Sequence, residues 1–586
     1  MELKRSSDVA MVQTLLCLTR DFDAALGADA FHRIRSILLD GGIGLFRGLQ
    51  FPVWDNSDAY FLKCQLQVAN FTKRYRFEHD VFTDDELLRL AKDKFKATQA
   101  RIAVPMEDSD ITFRVLQRAR SLAKGILGNY SEEEHFSLCR FGKRACMGHP
   151  YSRSYLDLKL TGCLTGSPEH IGWFKRYLLS DGILSDVVAE GVGIPQPCYE
   201  VCDTLKLSFV PKSWKSYRSI KPNTLLGSFY TQGLGRLIQE RLLQEGLDIT
   251  TLQERHKVLA QGNSRTCRLA TADLSAASDS ITSEMLRKVL PLPWYRAVML
   301  GACRKYTMDG ISYPLLSVAT MGDGHTFPLQ TLVFYCLLKA MGELIGRKTF
   351  VSVYGDDLIY PVWLHKYVAV VFPKLHLQLN LEKTFVHSSY RESCGGDYFH
   401  GIDVRPSSPE GAHQMLTPRA YSVFLYKVLN GLLRRWDRVE IPKACEYILS
   451  ELLLANGEIL QVPPSFPDGS GFKVARPVCL VGYAPVTYTR NTGSIQFTYL
   501  HTFPDTRVVK TQFPYYWETL RSRSTREEQS PYGGSDSEIL MWKKAVDRPL
   551  YVSTKSGRRR KRLLACTPCK ATAHIKRQRG STSSWT

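Results

Sequence analysis

Two adjacent carboxylates inside an apolar stretch constrain this chain more than any other feature. Residues 351–360 read Val-Ser-Val-Tyr-Gly-Asp-Asp-Leu-Ile-Tyr, with apolar side chains on both sides of Gly355, Asp356 and Asp357. The pattern predicts two strands joined by a tight turn, in which glycine supplies the unusual backbone angles. Two carboxylates on so rigid a turn repel each other, and a hard divalent cation with oxygen ligands would compensate them. The alternative is a solvated Asp-Asp turn.

A third carboxylate occupies a similar position earlier in the chain. Asp273 follows the apolar, strand-like run 268–272, and a helix is expected to begin near Thr282. A carboxylate at a strand end can share a metal with carboxylates of a second strand, as two-metal phosphoryl transfer requires. The alternative for Asp273 is a turn or helix-capping residue.

Two weaker motifs accompany these carboxylates. Residues 321–328 form a glycine-rich loop ahead of a predicted helix over 328–346, which would let the backbone approach a nucleotide closely. The strand-like run 210–221 interleaves four cations with Trp214 and Tyr217, a composition that suits phosphate and base contacts. The alternatives are a flexible loop and a solvated edge strand.

Apolar periodicity predicts the elements around these motifs. Helices are expected over 86–98, over 110–127, over 225–244 and twice within 418–456. Strands are expected over 268–275 and 349–354, and a hairpin around Asn491-Thr-Gly493.

Composition favours a folded, basic chain with a polyanionic partner. The 586 residues include 44% hydrophobic residues, 77 Lys+Arg and 57 Asp+Glu, which give a net charge of +20. This content argues against a disordered chain, and the charge favours nucleic acid or an anionic surface. The longest apolar stretch, near 332–345, is too short and too charged to cross a bilayer, so no membrane partner is expected. Fifteen scattered cysteines predict reduced thiols rather than a disulfide framework.

Positive charge is concentrated at the end of the sequence. Residues 555–586 contain ten Lys+Arg and no Asp or Glu, without strong apolar periodicity. This pattern predicts a mobile segment that contacts RNA phosphates without reading sequence. Its central cluster consists of Arg558, Arg559, Arg560, Lys561 and Arg562. The nearby pair Cys566 and Cys569 lacks a second cysteine pair, so a zinc site is not favoured.

Taken in order, the motifs resemble motifs F, A, B and C of the viral RNA-directed RNA polymerases. The closer resemblance is to the replicase catalytic subunit of the leviviruses, the small positive-strand RNA bacteriophages. This resemblance is firm from about residue 210 to residue 406. The segments that carry it are Ala272–Ser280, Met321–Phe327, Val353–Asp357, Lys383–Phe385 and Arg391–Gly395.

The resemblance implies a catalytic role for four residues. Asp273, Asp356 and Asp357 match the ligands of two Mg²⁺ ions, for which Mn²⁺ can substitute. Lys383 matches the motif D lysine near the departing pyrophosphate.

It also implies a set of nucleotide-binding residues, in which Asp279 matches the carboxylate that senses the ribose 2′-hydroxyl. Met321 and Gln330 depart from the serine and asparagine usual in motif B, which leaves the partner of Asp279 open between Gln330 and Thr326. Alternatively, Asp279 only caps the helix near Thr282. The expected nucleotide-binding residues are Lys212, Lys215, Arg218, Asp279, Gly322, Thr326 and Gln330.

The implied fold is α+β, a right hand of fingers, palm and thumb, with motifs A and C on antiparallel palm strands. The expected division is 1–224 for the N-terminal region and fingers, 225–410 for the palm with a core of about 259–390, 411–554 for the thumb, C-terminal helices and a hairpin, and 555–586 for the tail. The expected activity is RNA synthesis from ribonucleoside triphosphates on an RNA template, to replicate a viral genome in the cytoplasm of the bacterial host. Host elongation factors Tu and Ts are expected partners by the same resemblance.

Two other functions remain open. A reverse transcriptase shares the palm, but it normally excludes ribose with a bulky aromatic residue where this chain has the small Ser278. A non-catalytic, basic RNA-binding protein would explain the charge, but it would not need three separated carboxylates in polymerase order.

Overall fold

The computed structural model is a mixed α+β protein and describes residues 4–48, 58–142, 145–149, 159, 163–181, 198–489, 494–503 and 574–582. The helices are α1 (Ser7–Asp21), α2 (Asp23–Leu26), α3 (Ala28–Leu39), α4 (Ile43–Gly48), α5 (Ala59–Asn70), α6 (Asp84–Ala103), α7 (Asp110–Leu127), α8 (Glu132–Leu138), α9 (Pro168–Ser180), α10 (Leu225–Gln244), α11 (Leu252–Thr266), α12 (Ser283–Val289), α13 (Leu292–Gly301), α14 (Thr326–Leu344), α15 (His365–Lys374), α16 (Pro418–Leu433) and α17 (Pro442–Asn456). The strands are β1 (Arg5–Ser6), β2 (Tyr75–Arg76), β3 (Leu164–Gly166), β4 (Tyr199–Val201), β5 (Thr204–Lys206), β6 (Ser208–Ser213), β7 (Ser216–Ile220), β8 (Leu269–Ser275), β9 (Lys305–Met308), β10 (Ile311–Pro314), β11 (Ser352–Tyr354), β12 (Asp357–Pro361), β13 (Gln378–Leu379), β14 (Tyr390–Ser393), β15 (Gly396–Phe399), β16 (Ile402–Asp403), β17 (Gly411–Ala412), β18 (Met415–Leu416), β19 (Gln461–Val462), β20 (Phe472–Lys473), β21 (Thr487–Thr489), β22 (Ser494–Phe503) and β23 (His574–Thr582).

The helices predicted from periodicity are confirmed. α7 and α10 have the predicted bounds, α6 contains the predicted segment, and α16 and α17 are the two helices expected within 418–456. α14 begins two residues before the prediction, at Thr326, so Pro328 still lies in its first turn, where a missing N–H costs no helical hydrogen bond. Within the described residues, no helix is both long enough and apolar enough to span a bilayer.

A four-stranded sheet in the order β11-β12-β8-β13 lies at the centre of the site region. All of its strand pairs are antiparallel. The register of β12 against β8 pairs Leu358 with Ala272 and Tyr360 with Ala270. These four side chains are at most 3% exposed and belong to the same hydrophobic core as the inner residues of α7, α10 and α14. Because strand side chains alternate, the residues between them lie on the other face of the sheet.

A second hydrophobic core joins the two ends of the described chain. Met11 and Leu15 of α1 pack in one cluster with Tyr426 of α16 and Ile448 of α17, and all four are at most 1% exposed. The first residues of the chain therefore pack with the segment predicted as the thumb. The predicted domain boundaries remain a prediction.

The basic run predicted as strand-like forms a hairpin of two strands. β6 and β7 are antiparallel, with Val210 opposite Arg218 and Ser213 opposite Ser216. The chain reverses at Trp214 and Lys215, and the register shifts at Lys212, between Pro211 and Ser213. We call residues 208–220 the basic hairpin.

The prediction of a mobile tail is wrong for residues 574–582, which form a strand. β23 pairs antiparallel with β22, from Thr582 opposite Ile495 to His574 opposite Phe503. β22 is ten residues long and β21 is only three. Without β23, the edge of β22 that faces away from β21 would expose unpaired backbone N–H and C=O groups. The pairing with β23 satisfies them. β21 and β22 confirm the predicted hairpin; its turn and the basic cluster Arg558–Arg562 lie outside the described residues.

The prediction of reduced thiols is wrong for one cysteine pair. Cys163 and Cys198 form a disulfide, with Cα atoms 4.8 Å apart. The parallel pairing of β3 and β4 explains this, since it places Leu164 beside Tyr199 and therefore brings together the residues that precede them. The other cysteines in the described part of the chain are free.

Candidate active site

The sheet register brings the three predicted carboxylates to one place. Asp357 is the first residue of β12 and lies directly opposite Asp273 of β8. Directly opposed residues of antiparallel strands have Cα atoms about 4.5–5.5 Å apart and side chains on the same face. Asp356 is exposed in the two-residue turn between β11 and β12. The face opposite the hydrophobic core thus ends in a group of carboxylates.

The turn that carries Asp356 is fixed by α14. Gly355 has φ 62°, a left-handed conformation that glycine adopts without strain. Its backbone N–H donates to Thr331 Oγ1 at 3.0 Å. A Cβ atom at this position would lie 2.3 Å from Cε2 of Phe327, whose ring packs edge-on against Tyr354 at 4.6 Å. The turn therefore requires glycine for two independent reasons.

The negative charges of the three carboxylates act on one another, and two of the three, Asp273 and Asp357, are half-buried. Burial, together with the charges of Asp356 and Asp273, raises the pKa of Asp357 to about 7. Burial also raises the pKa of Asp273; Asp356 adds to the rise, and Lys383 opposes it. No three His, Cys, Asp or Glu side chains in the described segments are gathered closely enough to hold a metal ion. The carboxylates are thus neighbours in the sheet without forming a closed ligand shell.

Asp273 is instead held by two residues after β13. Asn380 Nδ2 donates to Asp273 Oδ2 at 3.0 Å, and Lys383 Nζ lies 3.7 Å from the same oxygen. Lys383 also forms a 3.2 Å ion pair with Glu392. Burial acts to lower the pKa of Lys383, but the carboxylates of Glu392 and Asp273 outweigh it and raise that pKa. Lys383 is therefore held as a cation beside Asp273.

Sequence reasoning missed two neighbours of these carboxylates, Asn380 and Cys394. The thiol of Cys394 lies 3.5 Å from Asp357 Oδ2. Cys394 lies in the turn between β14 and β15, and Asn380 three residues before Lys383. Their proximity to the motifs that resemble a polymerase was the available signal. Neither residue type carries a metal-binding pattern at this spacing.

One of the three predicted hairpin cations, Lys212, interacts with the carboxylates. Partial desolvation, Arg218 and Lys383 lower the pKa of Lys212, whereas Asp273 and Asp356 oppose this. Lys212 therefore lies in the electric field of the carboxylates and of Arg218. Lys215 is exposed in the turn of the basic hairpin. Among the described residues, it takes no part in the interactions between Lys212 and the carboxylates.

The aromatic residues of the basic hairpin are engaged by the protein itself. The guanidinium of Arg47 lies 4.6 Å from the centroid of the Trp214 ring, and Phe82 stacks on the same ring at 6.1 Å. The hydroxyl of Tyr217 donates to Asp84 at 2.5 Å. Both aromatic residues thus have intramolecular partners, and the interpretation of Trp214 and Tyr217 as base-contacting residues stays a prediction.

Asp279 has different partners from those expected. Its Oδ1 accepts from Lys221 Nζ at 3.0 Å, and its Oδ2 accepts from Ser219 Oγ at 3.3 Å. Thr282 caps α12 by accepting from the Met285 N–H at 3.1 Å. The capping alternative for Asp279 is therefore wrong.

The expected motif B partners of Asp279 are engaged elsewhere or buried. Thr326 Oγ1 donates to the carbonyl of Thr320 at 2.6 Å, and Gln330 is 5% exposed inside α14. Gly322 has φ 140°, and a Cβ atom there would lie 2.1 Å from the carbonyl oxygen of Lys221. The glycine-rich loop thus packs directly against the end of the basic hairpin.

Comparisons with known proteins support a family assignment. The family described as "RNA replicase, beta-chain" matches residues 91–563, more than half of the chain. The RNA-directed RNA polymerase subunit beta of Escherichia virus Qbeta is 29% identical over 376 residues, which cover 61% of this chain and 61% of that protein. The RNA-directed RNA polymerase beta chain of Enterobacteria phage fr is 31% identical over 298 residues, 50% of this chain and 53% of that protein.

The matched segments thus span about three fifths or less of these two relatives' length. Among solved structures, the RNA-dependent RNA polymerase of a human picorbirnavirus aligns with a TM-score of 0.38 and 14% identity, covering 63% of this chain and 74% of that chain. The family match confirms the predicted resemblance to the levivirus replicase subunit. The chain belongs to the RNA replicase beta-chain family.

Proposed function

We propose that this chain is an RNA-directed RNA polymerase that copies an RNA template from ribonucleoside triphosphates to replicate a viral RNA genome. The observation that carries the proposal is the register that places Asp357 opposite Asp273, with Asp356 in the adjoining turn. Membership of the replicase family and the similarity to two RNA-directed RNA polymerase beta subunits support it. A non-catalytic RNA-binding protein would have no need for this group of neighbouring carboxylates.

The corresponding fold is a right hand with the four-stranded sheet as the palm. In this proposal β8 carries motif A, the β11–β12 turn carries motif C, and the basic hairpin carries motif F of the fingers. α16 and α17 belong to the thumb. Their shared core with α1 supports a closed arrangement in which the N-terminal helices brace the thumb.

The donor set suits two Mg²⁺ ions, held by Asp273, Asp356 and Asp357. Carboxylate oxygens are the ligands that Mg²⁺ prefers. Burial, with a contribution from the charge of Asp356, raises the pKa values of Asp273 and Asp357, and a divalent cation would favour their ionised forms. When bound, the ions supply the Lewis acidity that activates the attacking 3′-hydroxyl and the charge that stabilises the leaving pyrophosphate. Mn²⁺ has the same ligand preference and is the expected substitute.

The remaining residues position the nucleotide and balance its charge. Lys212 and Arg218 bind the triphosphate from the basic hairpin, and Lys215 adds charge at its exposed tip. Lys383 stands beside Asp273 and supplies positive charge or a proton to the pyrophosphate as it departs. The template selects each base by pairing, so the protein reads shape and charge more than sequence.

The predicted setting follows from the same family. The relatives belong to bacteriophages, and we extend their host to this chain, which places its action in the bacterial cytoplasm. Elongation factors Tu and Ts remain predicted partners, and RNA template, RNA product and ribonucleoside triphosphates are the proposed substrates and product.

A primer-independent incorporation assay tests the function. The full chain is incubated with a viral RNA template, labelled ribonucleotides and Mg²⁺, in parallel with deoxyribonucleotides and with the host factors added. The proposal predicts template-length RNA from ribonucleotides only. Preferential use of deoxyribonucleotides would instead support a reverse transcriptase, and RNA binding without incorporation would support a packaging or chaperone role.

A further inference from the structure

Lys221, which directly follows the basic hairpin, is a buried cation near the site. Its side chain is 1% exposed, and its ammonium donates to Asp279 Oδ1 at 3.0 Å. The same ammonium lies 4.5 Å from the centroid of the Phe95 ring. A cation in such a place is stable only when its charge is paired and its donors are used.

The environment of Lys221 contains a second carboxylate, Asp323, in the glycine-rich loop. Burial raises the pKa of Asp323 to about 6, while Thr320, Asn223 and the charge of Lys221 oppose the rise. Asp323 accepts from Asn223 Nδ2 at 2.6 Å and from Thr320 Oγ1 at 2.7 Å. One buried cation thus stands between the carboxylates of two different segments.

Lys221 also fixes the backbone of these segments against each other. Its N–H donates to the carbonyl of Met321 at 2.9 Å. The close contact between Gly322 and the Lys221 carbonyl lies on the other side of the same residue. The glycine-rich loop, the turn after β8 and the end of the basic hairpin therefore meet at Lys221.

The sequence order connects this junction to the triphosphate-binding cations. Arg218 of β7 is followed directly by Ser219, which donates to Asp279 Oδ2, and two residues later by Lys221. The two oxygens of Asp279 are thus bonded by Ser219 of the strand that carries Arg218 and by Lys221, the residue that follows this strand. A displacement of this strand would move Asp279 with it.

We infer that Lys221, with Ser219, is a positioning residue for sugar selection: it fixes the charged Asp279 carboxylate that senses the 2′-hydroxyl and couples it to the triphosphate-binding hairpin. This inference rests on the proposed polymerase function. A carboxylate held in one orientation favours the ribonucleotide, because only the 2′-hydroxyl can donate a further hydrogen bond to it. Without Lys221, the carboxylate can rotate, and the preference for the ribonucleotide falls.

The test measures kcat/KM for a ribonucleotide and for its deoxy analogue on a pre-bound template. Lys221→Met keeps most of the volume of the side chain and removes its charge. We expect the ribonucleotide preference to fall about tenfold or more in this variant, and Lys221→Arg to keep it within about threefold. Lys206→Met, at an exposed position of β5, is the matched control and should leave the preference unchanged.

Two outcomes separate this inference from the proposed function. An active, folded Lys221→Met protein with an unchanged preference overturns the inference alone, whereas a wild-type chain that incorporates no ribonucleotide overturns the polymerase proposal. Should Lys221→Met fail to fold, Ser219→Ala decides, since it removes only the 3.3 Å bond to Asp279. A reduced preference in Ser219→Ala supports the positioning role, and an equal preference refutes it.

Discussion

Asn380 bonds Asp273 twice, through its side chain and through its backbone. Asn380 Nδ2 donates to Asp273 Oδ2 at 3.0 Å, and the Asn380 N–H donates to the Asp273 carbonyl at 2.9 Å. The side-chain bond leaves Asp273 Oδ1 as the oxygen without this restraint. Asn380 therefore sets which way the carboxylate of β8 faces.

Removal of this restraint should slow chemistry more than it weakens the fold. Asn380→Ala keeps the backbone bond and loses the side-chain bond, so we expect the single-turnover rate at saturating nucleotide to fall about tenfold. Glu382→Ala, at an exposed position in the same segment, is the control and should keep the wild-type rate. A wild-type rate in Asn380→Ala would show that the orientation of Asp273 does not depend on this amide.

Two substitutions at Lys383 separate charge from proton donation. Lys383→Arg keeps a cation beside Asp273 and Glu392 but cannot release a proton at neutral pH, whereas Lys383→Ala loses both. If the lysine protonates the departing pyrophosphate, both variants should lower kcat by about a hundredfold or more, with a smaller change in KM. Full activity in Lys383→Arg would mean that Lys383 contributes only its charge to the reaction. A change in KM alone would mean that Lys383 serves in nucleotide binding.

The turn glycine offers a test with an internal control. In Gly355→Ala the new Cβ must tolerate the left-handed φ and also clashes with Phe327. We therefore expect lost incorporation and a destabilisation of more than about 1–2 kcal/mol. Gly457→Ala has a similar φ of 76° at the end of α17 but no atom within 4 Å of the added Cβ. It should therefore cost only about 1–2 kcal/mol and keep activity. Equal effects of the two variants on incorporation would contradict a special role for the turn.

The buried side chain of His256 should make the folded chain less stable in acid. This fully buried residue of α11 bonds Ser393 of β14 at 3.0 Å and Ser352 of β11 at 2.9 Å. Burial lowers the pKa of His256 from 6.5 to about 4, so as the pH falls below 6.5 the unfolded chain binds a proton before the folded chain does. The free energy of unfolding should therefore decrease between pH 6.5 and pH 4.

The measurement is urea unfolding at several pH values for wild type and His256→Gln. The variant should be less stable at pH 7 and should show a shallower decrease towards pH 4. His135, His170 and His325 have pKa values lowered to about 4 by the same cause, so a part of the slope should remain. An identical slope in the variant would mean that His256 does not contribute to the acid response.

Local elements were predictable from sequence because local patterns determine them. The helices Asp110–Leu127 and Leu225–Gln244 follow from apolar periodicity alone. The pairing of Asp273 with Asp357 came only from resemblance to a family, since strand register between distant segments has no local signal.

The missed contacts share that non-local origin. The Lys221–Asp279 ion pair joins residues 58 positions apart, and the Asn380–Asp273 bond joins residues 107 positions apart. Both are set by how the segments pack, and lysine or asparagine alone carries no pattern that predicts such a partner. The pairing of β23 with β22 was missed for a similar reason, because the charge pattern of the tail does not reveal an available strand edge.

Replacement of Asp356 by asparagine tests the central proposal most directly. Asp356 is exposed in its turn, so Asp356→Asn removes the charge that we propose binds metal, with little change in packing. Ribonucleotide incorporation with Mg²⁺ and thermal unfolding are measured side by side on the same preparation. We expect incorporation to fall by at least about a hundredfold with an unfolding temperature close to that of the wild type. Near-normal incorporation by a folded Asp356→Asn protein would contradict the assignment of this site as the polymerase centre.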